Sequence, residues 1–423
     1  MSQTSEHPGG APSGARQHTQ SNGWPRLALL LAAIAVLVLL SVRSGSFPAV
    51  AFVIALVLSV MLHEAGHFLT AKWAGMKVTE FFFGFGPRLW SFRRGETEYG
   101  AKAIPAGGYV KIIGMSNLEK DIDPADEPRT YRQQSYPRRL LVAVAGILTH
   151  FVIAFLILML VWTVVGVPND NKPTLEVGAL SRLKSGASPA AEAGFKVGDR
   201  ILSVDGRPIT DWRELPPYIR ARPGQPITFV VERDGSQATL VATPASVNPD
   251  GEQVGFVGIG SKPLVEKVGF VDALGRSTTQ LGRLTAGSVK ALGSFFSPGS
   301  LRDYGDQLTG GPAPAEENRP VSVVGIVRIA DQAAKRGLFD FLGILVLLNV
   351  FIAIFNLVPL LPLDGGHIAI ATYERIRSRK GRRYYADVSK LMPLTAAVVM
   401  FLVLMGLTSV WLDIVNPINL PGQ

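Results

Sequence analysis

His63-Glu64-Ala65-Gly66-His67 packs two imidazoles and a carboxylate into five consecutive residues. On a helix, positions i and i+4 share a face, so His63 and His67 can turn ring nitrogens toward one zinc ion while Glu64 reaches its water. The pentad ends a long apolar run, where three ionisable groups are costly unless they face a cavity or a metal. The bland alternative is a helix that simply ends at the membrane interface with two histidines and a glutamate. A catalytic zinc site takes a third protein ligand and keeps one position open. Residues 356–367 read N-L-V-P-L-L-P-L-D-G-G-H, and the two prolines break the helix just where Asp364 follows. Broken backbone at membrane depth is tolerated only where it lines protein or water. Asp364 is therefore the expected third ligand, and His367 is its rival. Asn356, about two helical turns earlier, is a candidate to hydrogen-bond a substrate carbonyl or a developing oxyanion, or else a neighbouring helix. The chemistry such a set supports is hydrolysis of a peptide bond, with Glu64 taking the water's proton and returning it to the leaving amine. No Ser/His/Asp order and no phosphate-cradling glycine loop offers a competing reaction.

The elements that must position these residues are membrane-spanning helices. The chain has 423 residues, of which 47% are hydrophobic and only 18% charged, whereas a soluble domain carries about 25% charged residues. Cysteine is absent, which excludes disulfides, iron–sulfur clusters, thiolate zinc sites and a cysteine nucleophile. Apolar stretches at 27–42, 48–71, 140–167, 339–366 and 391–415 compare with the need for about 20 residues to cross a bilayer. The first is short and flanked by Arg26 and Arg43; with no clean small-residue cleavage pattern after it, it reads as a retained extra helix rather than a signal peptide. Lysine and arginine concentrate at 72–139 and 367–390, which places both on the cytoplasmic side. Alternation then puts 1–26 inside, as a disordered N-terminus poor in aliphatics, and 168–338 outside. The net charge of +9 is thereby a topological signal, and no nucleic-acid partner is expected. Within the outer segment, 174–262 shows short β-like runs separated by Asp205-Gly206 and Asp234-Gly235, and 263–338 reads as a helix followed by a loop over Ser297 to Arg319. The expected fold is a polytopic α-helical membrane protein of about five transmembrane helices, with a cytoplasmic β-hairpin region at 72–139 and one extracytoplasmic β-rich domain.

An H-E-x-x-H helix followed later by N-x-x-P-x-x-P-L-D-G-G, with an outward domain between them, resembles the site-2 proteases. The similarity covers nearly all of the chain after about residue 47 and is closest in kind to bacterial, anti-sigma-factor-cleaving members, of actinobacterial type. The resemblance implies an intramembrane zinc endopeptidase in the bacterial inner membrane, with one Zn2+ near the cytoplasmic side. Its partners would be single-span membrane proteins such as anti-sigma factors, trimmed first by an upstream protease in regulated intramembrane proteolysis. Phe83 to Pro87 and Glu98 to Lys111 resemble the family's Gly-rich hairpin, which enters the membrane beside the zinc. That likeness makes Gly107 and Gly108 candidate substrate-binding residues, because a helical substrate must become extended and an edge strand can hold it. An ordinary cytoplasmic hairpin is the alternative. Ser188 to Gly206 resembles part of a PDZ domain, which in the family excludes untrimmed substrates; capture of a peptide and simple bulk are both open. Pro320 to Ile326 resembles the P-V-x-x-x-G-I approach to the third core helix, with a packing or gating role.

Two departures stand out. Ala145-Gly146-Ile147-Leu148-Thr149-His150 replaces a stretch where relatives often carry Pro and Asn, leaving His150 either to hydrogen-bond across helices or to assist the site. The helix at 27–42 is additional to the family's core. A metal transporter would also place histidine and aspartate within spans, but it explains neither Glu64 nor the PDZ-like segment. A non-catalytic scaffold would be suspected if His63, Glu64, His67 or Asp364 were altered; all four are present.

Overall fold

The computed structural model describes residues 24–115, 119, 121–183, 186, 188–247, 253–308, 320–378 and 382–416. The expected disordered N-terminal stretch lies, up to residue 23, outside the described residues. Five helices are long and apolar enough to cross a bilayer: Leu27–Ser44, Phe47–Trp73, Tyr136–Val165, Leu338–Asn356 and Val388–Val415. They are carried by α1 (Trp24–Ser44), α2 (Phe47–Trp73), α3 (Tyr136–Leu160, prolonged by a wide turn to Val165), α9 (Leu338–Asn356) and α11 (Met392–Val415). The chain forms two compact units, Met1–Gly146 with His367–Met392, and Ile147–Gly366 with Pro393–Gln423. The three divisions fall inside helices, in α3, in α10 (Asp364–Arg377) and at the first residues of α11.

In the first unit, α2 ends where Gly75, at φ +79°, lets the chain turn out of the helix and donate from its N–H to the Lys72 carbonyl. Two long antiparallel strands follow, β1 (Val78–Arg94) and β2 (Thr97–Ile112). Their register is doubled: Phe81 faces both Val110 and Tyr99, and Phe83 faces both Gly108 and Ala101. The hairpin has thus folded back so that residues 80–83 lie between 98–101 and 108–111. Its base, through Met76, Val78 and Ile112, joins Ala71 of α2, Tyr131 and Val142 of α3 in one essentially buried cluster, and each large side chain so buried contributes about 1.5–3 kcal/mol. Phe68 of α2 meets the rings of Phe81 and Tyr99 at 5.2 and 5.8 Å. The chain then returns to α3, where Arg139, nearly inaccessible, pairs with buried Glu374 of α10 at 2.6 Å.

In the second unit, β3 (Val167–Leu180) opens the β-rich domain. After it come α4 (Pro189–Glu192), β4 (Arg200–Val204), β5 (Arg207–Pro208), α5 (Leu215–Arg220), β6 (Ile227–Arg233), β7 (Ser236–Ala242), β8 (Ala245–Val247), β9 (Val254–Phe256) and β10 (Ile259–Glu266). One sheet runs β10-β3-β4-β6-β7, with β5 beside β4, around Phe195, Ile201, Trp212, Ile227 and Phe229. Both Asp-Gly pairs sit at its turns with positive φ, +47° and +77° at 205–206 and +50° and +77° at 234–235, the backbone that a two-residue hairpin turn demands. Three helices follow, α6 (Phe270–Phe295), α7 (Pro298–Leu308) and α8 (Val323–Arg336). The stretch expected as a loop over Ser297 to Arg319 therefore begins with α7; Gly299 and Gly305 masked its helical spacing, and Tyr304 ties it to Thr408 of α11. The start of α8 explains P-V-x-x-x-G-I: buried Asp413 of α11 accepts from the Ser322 N–H at 2.7 Å, and Gly325 leaves room for that carboxylate. The expected single helix 339–366 is also two elements, since α9 stops at Asn356 and α10 starts at Asp364, with Pro359 and Pro362 interrupting the backbone ladder.

At the hairpin tip, Arg129 donates twice to Glu96, at 2.7 and 2.9 Å, and Lys72 adds a third charged contact. The Arg129 guanidinium, helped by Lys72 and opposed by burial, holds the Glu96 carboxyl at about 2 instead of 4.5. A carboxylate whose pKa is depressed by folding stabilises the fold above its ordinary pKa, and that contribution disappears as pH falls through the depressed value. The pair faces solvent, with 43% of the Arg129 side chain exposed, so its worth is about 1 kcal/mol or less. Glu96→Gln is expected to speed amide exchange at 95–97 near neutral pH, with the difference from wild type closing between about 4.5 and 2. A difference that persists unchanged below that window would mean that the carboxylate is not what fastens the tip.

Candidate metal centre

One turn of α2 presents the two histidines on a common face, His63 7% and His67 4% exposed. Their Nε2 atoms are 3.1 Å apart and their rings nearly perpendicular, at 83°. Two nitrogens bound to a tetrahedral zinc at about 2.0–2.1 Å are about 3.3 Å apart, so the observed spacing suits a shared ion. His67 Nδ1 lies 2.7 Å from the Val142 carbonyl oxygen. A carbonyl can only accept, so Nδ1 carries the proton and Nε2 keeps its lone pair for ligation.

Helix α3 makes the space. An ideal Cβ on Gly146 would stand 2.3 Å from His67 Nε2 and 2.6 Å from His63 Cε1, closer than any real side chain comes. Motif reading passes over Gly146, which borders both imidazoles and is noted only within a departure from the family pattern. Its signal was a glycine inside a strongly apolar helix, four residues after the carbonyl that orients His67.

Asp364 opens α10, and the glycines behind it explain how. A Cβ on Gly365 would come within 2.3 Å of the Leu357 and Val358 carbonyl oxygens, and one on Gly366 within 2.7 Å of the Leu361 nitrogen. Only glycine lets the first turn of α10 lie so close to the 357–361 backbone. His63, His67 and Asp364 form a group whose possible ligand atoms all lie within 4.8 Å of one another. Two imidazoles and a carboxylate at that spacing, beside a helix stripped of its side chain, fit one zinc ion.

His367 is not in that group; its ring stands edge-on to Tyr131 with centroids 6.4 Å apart. Glu64 follows His63 on α2 and is half-buried. Asn356 is the last residue of α9, also half-buried. Gly108 packs against α2, where a Cβ would meet the Met61 sulfur at 2.4 Å, and neighbouring Gly107 has φ +127°. His150 takes the helix-bridging role: its Nδ1 lies 2.8 Å from Asn349 Oδ1, and Asn349 in turn donates to the Leu345 carbonyl.

Comparison with known proteins agrees with this chemistry. The chain is 36% identical over 401 residues to the zinc metalloprotease Rip1 of Mycobacterium tuberculosis, covering 88% of this chain and 98% of the relative. It is 34% identical over 403 residues to Rip1 of Mycolicibacterium smegmatis, with the same coverage. A putative zinc metalloprotease of Rhizobium meliloti is 31% identical over 348 residues, 78% of this chain and 87% of the relative. The model of peptidase family M50 matches residues 51–403. Apolar helices, the zinc-fitting donor set and these similarities lead to one conclusion: the chain belongs to peptidase family M50, the site-2 proteases, and is a zinc metalloprotease of the membrane.

Proposed function

We propose that His63, His67 and Asp364 hold the zinc ion and that Glu64 is the general acid–base of a peptidase that cuts within or near the transmembrane segment of single-span proteins. The observation that carries this reading is the convergence of those three donors to within 4.8 Å. Bound zinc supplies Lewis acidity, which eases deprotonation of water near neutral pH and polarises a peptide carbonyl. Glu64 takes the proton of the attacking water and delivers it to the leaving amine. Val142 keeps the His67 ring in the ligating tautomer, and Asn356 is placed in the role of hydrogen-bonding the substrate carbonyl or the oxyanion. A helical substrate must first be drawn into an extended form. Residues 108–112 supply the edge for that: they pair with β1 on one side and with no second strand among the described residues, and Gly108 rests on α2 at Met61.

The basic stretches 72–139 and 367–390 support a cytoplasmic hairpin and a site near the inner face of a bacterial cell membrane. The β-rich domain at 174–262 is then extracytoplasmic and PDZ-like. Its bulk would exclude substrates still carrying large outer domains, and a groove of about 210 Å³ between α5 and residues 255–259 offers a place for a peptide end. The substrates that suit this arrangement are anti-sigma factors already shortened by an upstream protease.

Glu64→Gln is expected to keep zinc, measured by metal analysis of the purified protein, and to lose cleavage of a single-span substrate by at least about 100-fold; undiminished cleavage would falsify the acid–base role. Asp364→Asn should lower zinc content and activity together, and if His367→Ala alone does so the third ligand is His367. Gly146→Ala should lower zinc occupancy in a protein that still folds, as its added methyl meets both imidazoles; full occupancy with unaltered activity would remove Gly146 from the site. For topology, reporters fused near Gly206 and near Arg94 should signal the outer and inner sides, and the reverse pattern would invert the whole assignment.

A further inference from the structure

A cavity of about 390 Å³ in the first unit, where α3 begins and α10 ends, is lined by none of the proposed zinc ligands and not by Glu64. Its walls include Arg132, Arg139, Arg375 and Arg383, with Tyr384 and Tyr385 beside them. Among the described residues a single carboxylate, Glu374, lines it, and that group is already engaged by Arg139 at 2.6 Å and by the Ala386 N–H at 2.7 Å. Arg132 is held by Glu127 at 2.6 Å. Arg383, in contrast, donates to the Gln133 carbonyl at 2.8 Å, a neutral partner, and Arg375 has no ion pair among the described residues. Among the described residues, two guanidinium charges therefore remain uncompensated even after Glu127 and Glu374 are counted.

The cavity is also built rather than a chance dip. Tyr385 donates its hydroxyl to Gln133 Oε1 at 3.2 Å, and the Tyr384 N–H donates to Ser378 Oγ at 3.0 Å. These bonds hold 383–386 in place over the end of α10, and the buried Arg139–Glu374 pair forms the inner wall. Clustered guanidiniums match the tetrahedral oxygens of phosphate, which arginine engages with two parallel bonds. Tyr136 and Pro137 line the cavity too, and they are the first residues of a candidate span. Where an apolar helix leaves the hydrocarbon layer, lipid phosphates lie at the same depth, and basic pockets there suit anionic headgroups.

We propose that this cavity binds a phosphate-bearing anion, supplied by the headgroup of an anionic phospholipid. Delipidated full-length protein in neutral detergent is titrated with phosphatidylglycerol, with phosphatidylcholine and with inorganic phosphate, and binding is read from the rise in thermal midpoint. Phosphatidylglycerol should bind wild type and Arg93→Gln/Arg94→Gln alike. Arg375→Gln/Arg383→Gln should bind it roughly fivefold more weakly for each arginine lost. Arg375→Lys/Arg383→Lys should recover part of that loss. Equal affinity in wild type and Arg375→Gln/Arg383→Gln overturns the site, as does an equal loss in the hairpin-tip control. Phosphatidylcholine binding as tightly as phosphatidylglycerol overturns the anionic headgroup. Stabilisation by inorganic phosphate, abolished in Arg375→Gln/Arg383→Gln, without any response to phosphatidylglycerol overturns the lipid source and assigns the cavity to free phosphate.

Discussion

The structure depends on keeping two imidazoles ready for a metal inside a helix whose other residues are almost all apolar. Moving such groups out of water costs several kcal/mol unless each finds a partner. For His67 that partner is the Val142 carbonyl, which has a second lone pair available beyond the one its helix uses. Val142 and Gly146 are four residues apart, hence on one face of α3, and they match His63 and His67, four apart on α2. One face of α3 thus provides both the acceptor that fixes the tautomer and the gap that admits the rings. Neither feature works without the other, because any side chain at 146 would displace the ring that Val142 orients.

The carboxylate is placed by a different device. Pro359 and Pro362 cannot donate to a helical ladder, so the backbone leaves α9 after Asn356 and must restart. It restarts at Asp364 because Gly365 and Gly366 allow the new helix to press on the segment it has just left. A carboxylate at the first residue of a helix also sits at the positive end of the backbone dipole, which favours its negative charge. The D-G-G sequence is therefore a statement about backbone clearance as much as about ligation.

What could be read from the chain alone follows from how local each signal is. The pentad, the apolar stretches and the two Asp-Gly turns are properties of consecutive residues; five long apolar helices and both positive-φ turns are present, although the stretch 339–366 is helical only to Asn356 before it restarts at Asp364. Gly146 was not legible as a site residue, since its meaning lies in what faces it from α2, about eighty positions away in the chain. The doubled register of β1 on β2 was equally hidden, because alternation and glycine predict strands without saying which pair with which. The break between α9 and α10 was half legible: the prolines announced it, while hydropathy continued across it. His150 invites a bridge between helices by its type and place, but its partner Asn349 is 199 positions away and carries no local signal.

The same clearance device recurs where α8 begins. Asp413, fully buried in α11, accepts from the Ser322 N–H, and a Cβ on Gly325 would stand 2.3 Å from its Oδ2. Arg328 then closes on the Asp413 carbonyl at 3.0 Å. In both places a polar side chain on one helix lies against a glycine on another segment, with a backbone group beside it as the hydrogen-bond partner. Among helices surrounded by hydrocarbon, burial of apolar surface gives little preference for one neighbour over another, so close approach and internal hydrogen bonds must decide the packing. The glycines at 146 and 325 are where that decision is made. A substitution that removes either would be felt first by the buried polar group opposite it, and only then by the helix that carries it.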